Sequence, residues 1–437
     1  MFSSLKIPAV SRKSLYEAIF TISGRFVSIF LVIGATKFLT TFLSEADYGQ
    51  LALYNVTATL PSTFYFGPLG QGILRLFPVA NEKSELNAFH HQYHRLYMQG
   101  AQIVLILGLI GSALCWFYGS TSWSLALILM VVISTVGSFN TFRYGLQNSI
   151  RKRMLSMGLE TGDRVLQQTL AIFLLWCISG NPLIVLVGYA LSSFIFLLIN
   201  RYYYHKSFPE TADRPSDSGD KTYRAMILQY SWPFILFGIF AWFQNASDRW
   251  ALEILHSTEL VGQYAVLNQI GFQSLGLLFG SISYFLFPIL FNKAGSIQSK
   301  KQFDDANHIN NWYLWFNVGL TAFLFLIFWL FGEEVIRLLS AEKYVKLAGY
   351  LPLMVIAGGL FNFGQNYTNR FMLAMQTRLL LYPKIIAAVL GVILNFILGY
   401  RMGLQGLIIG TVLTQFIYVS VLVITWTRLK HSTRLSN

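Results

Sequence analysis

The sequence has little charge. Asp, Glu, Lys and Arg make up only 12% of the 437 residues, whereas hydrophobic residues make up 54% and the mean hydropathy is +0.52. A typical soluble domain contains about twice as many charged residues. Several runs of about 20 residues hold almost no charge, and a helix needs this length to cross the hydrocarbon core of a bilayer. The composition therefore excludes an ordinary soluble protein and predicts an all-α integral membrane protein.

Motifs for catalysis and metal binding are also lacking. The sequence has no Walker A motif, no H-E-x-x-H motif and no paired Cys-x-x-Cys ligands, so we predict neither ATP hydrolysis nor a metal site. The two cysteines, Cys115 and Cys177, lie in apolar runs and indicate no disulfide framework. The segment "HHQYH" is interpreted as a solvated cytoplasmic loop, with metal binding by His90 and His94 as the alternative. We predict no cofactor.

The apolar runs predict about twelve transmembrane helices. Lys and Arg are concentrated at both termini and in every second loop, and such enrichment marks the cytoplasmic side. Both termini are therefore predicted to be cytoplasmic. No cleavage site follows the first run, so we interpret it as a retained span rather than a signal peptide. The predicted spans are residues 15–36, 49–70, 96–118, 122–142, 160–179, 182–200, 228–248, 261–288, 311–331, 348–368, 379–399 and 404–427.

One short phrase occurs twice, about half a chain apart. "DYGQLALYN" enters the second predicted span and "LVGQYAVLN" enters the eighth, while "GSFNTF" in the fourth is matched by "GGLFNFG" in the tenth. Two six-helix units that enter the membrane in the same direction are related by a pseudo-two-fold along the membrane normal. We therefore predict an N-terminal half (1–204), a cytoplasmic linker (205–224) and a C-terminal half (225–437). Gly49 and Gly262 are expected to allow a tight outer turn in each half.

Charges within or beside the predicted spans indicate a transport site. A charge at membrane depth costs about 2.5 kcal/mol or more unless it faces a cavity or a partner. In transporters built from repeats, the substrate binds between the halves near the midplane. Four basic residues are therefore predicted to line a cationic cavity for an anionic substrate: Arg25, Lys37, Arg249 and Arg75.

Alternatives to this cavity remain open. Arg25 lies about two helical turns from Glu17 and pairs with it in the structural interpretation. In the structural interpretation of Lys37, its side chain extends to the membrane interface and does not line a cavity. Three acidic residues are assigned to ion coupling or to charge pairing: Asp248, Glu17 and Asp163. Coupling to Na⁺ or H⁺ stays open. The glycines at 67, 70 and 72 beside Arg75 suit either a gate or close helix packing.

The chain resembles bacterial polysaccharide flippases of the O-antigen type, within the multidrug/oligosaccharidyl-lipid/polysaccharide (MOP) exporter superfamily. The segments that carry this resemblance are "FLSEADYGQLALYN", "GQGILRLFP", "SDRWALEILHSTELVGQYAVLNQ" and "FPIL". The resemblance implies a transporter, not an enzyme, in the bacterial inner membrane. It also implies a substrate, an oligosaccharide linked to undecaprenyl pyrophosphate, that is moved to the periplasmic face and passed to a polymerase or other assembly proteins.

Other functions have weaker support in the sequence. A multidrug exporter and a lipid II-type flippase remain alternatives within the superfamily. A membrane glycosyltransferase or polymerase is less favoured, because the outer loops are too short to form a catalytic domain. Nucleic acid is not an expected partner, since the formal charge of +13 follows the topology of the loops.

Overall fold

The computed structural model describes residues 12–150, 152–178, 180–208, 220–294, 300–374 and 376–434. All regular secondary structure in these residues is helical. Eight helical segments within them are long and apolar enough to cross a membrane, in agreement with the predicted multi-pass all-α fold. One of these segments, 377–429, includes two of the predicted spans. The count of twelve spans stays a prediction.

The chain up to residue 208 is a succession of long helices. A π-helical segment, Ser62–Phe66, joins α2 to α3 without a break, so these two helices together correspond to the second predicted span. The helices are α1 (Arg12–Phe42), α2 (Glu45–Pro61), α3 (Gly67–Glu82), α4 (Leu86–Phe117), α5 (Thr121–Ser149), α6 (Arg153–Cys177) and α7 (Pro182–Ser207).

The described remainder of the chain is also helical. A second π-helical segment, Asn268–Gln273, joins α9 to α10, and 3₁₀ segments at Glu342–Tyr350 and Thr377–Leu380 precede α13 and α15. The helices are α8 (Asp220–Leu255), α9 (Thr258–Leu267), α10 (Ser274–Ala294), α11 (Lys300–Leu330), α12 (Gly332–Leu339), α13 (Leu351–Tyr367), α14 (Asn369–Leu373) and α15 (Leu381–Arg434).

Each predicted span lies within one helical stretch, to within two residues at its ends. Several helices extend beyond the apolar run, because backbone hydrogen bonding continues where the side chains become polar. Thus α4 begins at Leu86 and includes the histidines that we had expected in a loop. In α15 the last two spans are separated by a kink at Gly403, whose φ of +57° lies in the left-handed region that favours glycine.

The repeated phrases begin their helices in the same way. Ser44 caps α2 by accepting a hydrogen bond from the Asp47 N–H at 3.0 Å. Ser257 caps α9 by accepting one from the Leu260 N–H at 3.4 Å. A serine at this position satisfies a backbone donor that the first helical turn leaves free. Both helices then run into a π-helical segment, so the likeness extends from sequence to local structure.

The chain divides into two compact units that each contain several segments. The first comprises residues 1–32, 65–173 and 186–232. Its core is an aromatic cluster from α3, α4 and α5, which includes the buried side chains of Phe77, Phe89 and Phe142. Phe77 contacts Phe89 edge to face at 6.1 Å between ring centroids, a favoured geometry for aromatic pairs.

The second unit comprises residues 33–64, 174–185 and 233–437. It therefore combines α2 and the end of α1 with α9–α15 and most of α8. Its core includes one cluster around Phe279, Tyr313 and Val355 and another around Phe371 and Tyr418. The division into halves at 204 and 225 stays a prediction, because this grouping follows packing rather than chain order.

Candidate functional site

The two repeated phrases pack directly against each other in the second unit, where α2 crosses α9. A Cβ added to Gly49 would overlap the carbonyl oxygen of Thr258 and lie 2.7 Å from the backbone nitrogen of Gly262. A Cβ added to Gly262 would overlap the carbonyl oxygen of Glu45 and lie 3.0 Å from the nitrogen of Gly49. The expectation of a tight turn at these glycines was wrong. They lie inside helices and permit a close backbone crossing.

Lys37, predicted to line the cavity, caps a neighbouring helix in this structure. Its Nζ donates to the carbonyl oxygen of Arg337 at 2.5 Å and to that of Ser340 at 2.6 Å, at the end of α12. A cation is stabilised there, since the last carbonyls of a helix lack internal partners and carry partial negative charge. Arg337 also pairs with Glu342 at 3.1 Å, and this hydrogen bond raises the pKa of Arg337.

Two further lysines, both in the 3₁₀ segment Glu342–Tyr350, contact the loop between α1 and α2 and the start of α2. Lys343 donates to the carbonyl oxygen of Leu43, at the loop between α1 and α2. Lys346 pairs with Glu45 at 2.9 Å, and Glu45 also accepts a hydrogen bond from Gln263 at 2.5 Å. Together with Lys37, these lysines form what we call the outer latch, defined by Lys37, Lys343 and Lys346. Lys37 had been predicted to line the cavity, whereas Lys343 and Lys346 had been assigned no role in the site.

Arg249 and Asp248 are both buried near the end of α8 and contact each other. The Arg249 Nη1 lies 3.3 Å from the Asp248 Oδ1, and that oxygen also accepts from the Arg249 backbone N–H at 2.7 Å. Arg249 donates in addition to the carbonyl oxygen of Asn245 at 2.9 Å. Of the two predicted roles for Asp248, charge pairing is the one that the contacts favour. Ion coupling stays a prediction.

The other predicted site residues are dispersed. Asp163 accepts hydrogen bonds from Ser192 at 3.1 Å and from Tyr144 at 3.4 Å, so its contacts favour an internal structural role. Arg75 is exposed on α3. Nearby, a Cβ on Gly72 would lie 2.4 Å from the Ser231 Oγ, which favours close packing over gating at that glycine. Glu17 and Arg25 belong to α1, and their side chains lie outside the described residues.

Lys384 is a buried cation that the sequence analysis did not select. The side chain lies on α15, and its Nζ is 5.6–6.0 Å from the ring centroids of Phe237, Phe361 and Tyr418. Aromatic faces attract an ammonium group, but they do not neutralise its charge. Lys384 lies within the predicted span 379–399 but had been assigned no role in the site. The useful signal was its position beside Pro383 at the start of a long apolar run.

A pocket rich in amides lies in the same unit. It has a volume of about 360 Å³ and opens between α10, α13 and α14. The Asn366 Nδ2 and the Asn369 Oδ1 are buried and have no hydrogen-bond partner among the described residues. Neutral amides of this kind can donate to and accept from hydroxyl groups. The polar lining consists of Ser283, Asn362, Gln365, Asn366, Thr368 and Asn369.

The sequence matches one protein-family model over most of its length. Residues 14–294 match the model described as "Polysaccharide biosynthesis protein". The chain therefore belongs to this family, as the resemblance had indicated. No curated protein matches the sequence.

Solved structures define the fold. The inward closed conformation of the lipid II flippase MurJ matches with a TM-score of 0.68 at 15% identity, covering 95% of this chain and 88% of that one. An inward-facing multidrug MATE transporter of the MOP superfamily matches with a TM-score of 0.70 at 14% identity, covering 96% and 100%. The bent form of the Vibrio cholerae MATE transporter VcmN gives 0.62 at 14%, covering 96% and 98%.

These likenesses confirm the expected class. The chain is a multi-pass helical membrane protein with the fold of the MOP superfamily. A transporter role rather than an enzymatic one stays a prediction, which is taken up below as a proposal.

Proposed function

We propose that the protein is a flippase of the bacterial inner membrane, which moves an oligosaccharide linked to undecaprenyl pyrophosphate to the periplasmic face. The observation that carries this proposal is the match of residues 14–294 to a polysaccharide biosynthesis family on a MOP transporter fold. A repeat unit of O-antigen or another surface polysaccharide is the proposed cargo. The product would pass to a polymerase or another assembly protein.

The proposed cycle is alternating access by two six-helix halves. The outer latch and the α2–α9 crossing join the outer ends of N-terminal and C-terminal helices, so both must separate for release to the periplasm. Separation would free Lys37 from the two carbonyl oxygens that it contacts at 2.5 and 2.6 Å. A freed ammonium group can then attract the pyrophosphate. Arg25, Arg75 and Arg249 are proposed as the other cations of this cavity.

Two features of the second unit support a lipid-linked saccharide as cargo. Lys384 is buried within an aromatic cage and can attract phosphate. The amide-rich pocket includes Asn362, which follows Phe361 of that cage in the sequence. Phosphate attraction beside neutral amides suits a molecule that joins a charged group to many hydroxyls. Coupling to Na⁺ or H⁺ through Asp248, Glu17 or Asp163 belongs to the same proposal.

Flipping in proteoliposomes tests the proposal. A fluorescent undecaprenyl-pyrophosphate oligosaccharide is reconstituted with the protein, and the fraction accessible to an external quencher is followed over time. Lys37→Ala and Arg249→Ala are expected to slow flipping about tenfold or more, because each removes a charged contact worth about 1.5–3 kcal/mol. Arg401→Ala, at an exposed position, is the control. Normal flipping by both variants would contradict the assigned roles.

A lipid II-type flippase is the second candidate, favoured by the fold match to MurJ. The same proteoliposomes distinguish the two functions when fluorescent lipid II replaces the oligosaccharide lipid. Faster movement of lipid II would support the second candidate. Faster movement of the oligosaccharide lipid would support the first.

A further inference from the structure

The first unit contains a pocket that the proposed transport cycle does not use. It has a volume of about 640 Å³ and is formed by α4, α5 and α7. None of the described residues that line it is acidic. Its basic and imidazole side chains come from all three helices: His90, His91, His94, Arg143, Arg201 and His205.

Arg143 is the central cation of this pocket. Its guanidinium carbon lies 4.1 Å from the ring centroid of Phe139 and 5.1 Å from that of Tyr204. Nη1 is buried and has no hydrogen-bond partner among the described residues. The charged side chain that influences it most is another cation, Arg201, and no carboxylate is among its main electrostatic neighbours. A partly buried guanidinium with no carboxylate among its main electrostatic neighbours is unfavourable, so the site is poised to accept an anion.

The surrounding rings hold this cation in place. Tyr204, which packs against Arg143, bonds through its hydroxyl to the Nδ1 of His90 at 2.8 Å. The ring centroids of Tyr93 and Phe142 are 3.6 Å apart on the pocket wall. Phe139 and Tyr204 are partly buried and pack against the buried core of the unit, so the rings that contact Arg143 are held in place. Donors that are preorganised in this way bind planar or tetrahedral oxyanions more tightly than a mobile cluster of surface lysines would.

We propose that this pocket binds a phosphate or pyrophosphate group. Arginine in a fixed orientation matches phosphate oxygens, and the second arginine and the imidazoles add donors around the same volume. The pocket volume of about 640 Å³ leaves room for more than the phosphate group itself. The phosphate belongs either to a membrane lipid headgroup or to a soluble phosphorylated compound, since both present the same oxygens.

Binding is measured without any transport step, so the proposal does not depend on the flippase assignment. Protein is placed in nanodiscs of phosphatidylcholine and titrated with inorganic pyrophosphate by calorimetry. Arg143→Gln is expected to raise Kd about tenfold or more, the effect of losing a charged hydrogen bond. Arg201→Gln should raise it severalfold, and its exposed position leaves folding intact. Arg95→Gln, exposed on α4 outside the pocket lining, is the matched control.

A second arm distinguishes the two sources of phosphate. Nanodiscs that contain phosphatidic acid should weaken pyrophosphate binding if lipid headgroups enter the pocket, and Arg201→Gln should weaken that competition. Strong pyrophosphate binding with no effect of phosphatidic acid would identify a soluble ligand. Retention of phosphatidic acid without pyrophosphate binding would identify a lipid site, provided that Arg143→Gln releases it.

Three results would overturn the proposal. The first is that neither phosphate source binds. The second is equal binding by the parent and by both pocket variants. The third is an equal loss in Arg95→Gln, which would indicate general attraction by surface charge.

Discussion

Gly262→Ala tests whether the α2–α9 crossing holds the outer side closed. The new Cβ would overlap the carbonyl oxygen of Glu45 and lie 3.0 Å from the nitrogen of Gly49. Both atoms belong to the backbone, so no side-chain rotation relieves the overlap and the helices must separate. Overpacking of this kind costs about 1–3 kcal/mol. If only the closed state bears this cost, the ratio of open to closed molecules rises by about 5- to 150-fold.

Thiol labelling measures this shift. Cys115 and Cys177 are replaced by serine, and Val261→Cys introduces a reporter at a buried position of α9. A membrane-impermeant maleimide applied from the periplasmic side is expected to react only when the packing around α9 opens. When opening is fast relative to labelling, the labelling rate follows the open population. Gly262→Ala should therefore accelerate labelling by about 5- to 150-fold.

Gly34→Ala is the matched control. Gly34 is a helical glycine of the same unit, and a Cβ there meets nothing within 4 Å. Alanine is favoured over glycine inside helices by about 1 kcal/mol, so this variant should not be destabilised. Gly49→Ala should reproduce Gly262→Ala, and the double variant should add less than the sum because both act at one crossing. Unchanged labelling in Gly262→Ala, or equal acceleration in Gly34→Ala, would refute the reasoning.

Three other perturbations follow from the described contacts. Lys37→Met removes charge-assisted hydrogen bonds worth about 1.5–3 kcal/mol each. Labelling of the same reporter should become faster, and an unchanged rate would show that Lys37 does not hold the outer side closed. Asp248→Asn should lower the thermal midpoint, because Arg249 loses its buried partner and breaking such a pair costs about 3–5 kcal/mol of stability. The double variant with Arg249→Gln should recover most of this loss, and failure to recover it would argue against pairing. Gly403→Ala should also lower the midpoint, because alanine in the left-handed conformation costs about 1–2 kcal/mol. Gly276→Ala should not lower it, since a Cβ at that position meets open space.

The helices were predictable from the sequence, because burial in lipid requires long apolar runs. Their ends were less so. Hydropathy falls where charged residues begin, but the helical hydrogen bonds of α4 continue through His90, which is buried and bonded to Tyr204. The interpretation of "HHQYH" as a solvated loop was therefore wrong for His90. Helix length is set by backbone pairing and by packing with neighbours, and composition reports only the lipid-facing part.

The cations illustrate a second limit. Lys384 and Arg143 were not selected for the site, because basic residues near helix ends usually mark the cytoplasmic side. The structure distinguishes them from exposed basic residues by their aromatic surroundings, which bring together residues from several helices. Sequence spacing alone does not reveal such surroundings. Lys37 was predicted to line a cavity, but its bonds to α12 depend on an element some 300 residues away, which the sequence does not reveal.

The repeated phrase has a physical explanation in the reciprocity of the crossing. Gly49 approaches Thr258, and Gly262 approaches Glu45, so each glycine meets the start of the other helix. Glu45 and Thr258 occupy the same position relative to their glycines. A two-fold axis produces this pattern, since it brings a surface against its own counterpart and makes contacts occur in pairs. Where equivalent positions meet on such an axis, a large side chain would clash with its own copy. Glycine at both positions is therefore required by the crossing itself, and this reciprocity supports the proposed pseudo-two-fold between the halves.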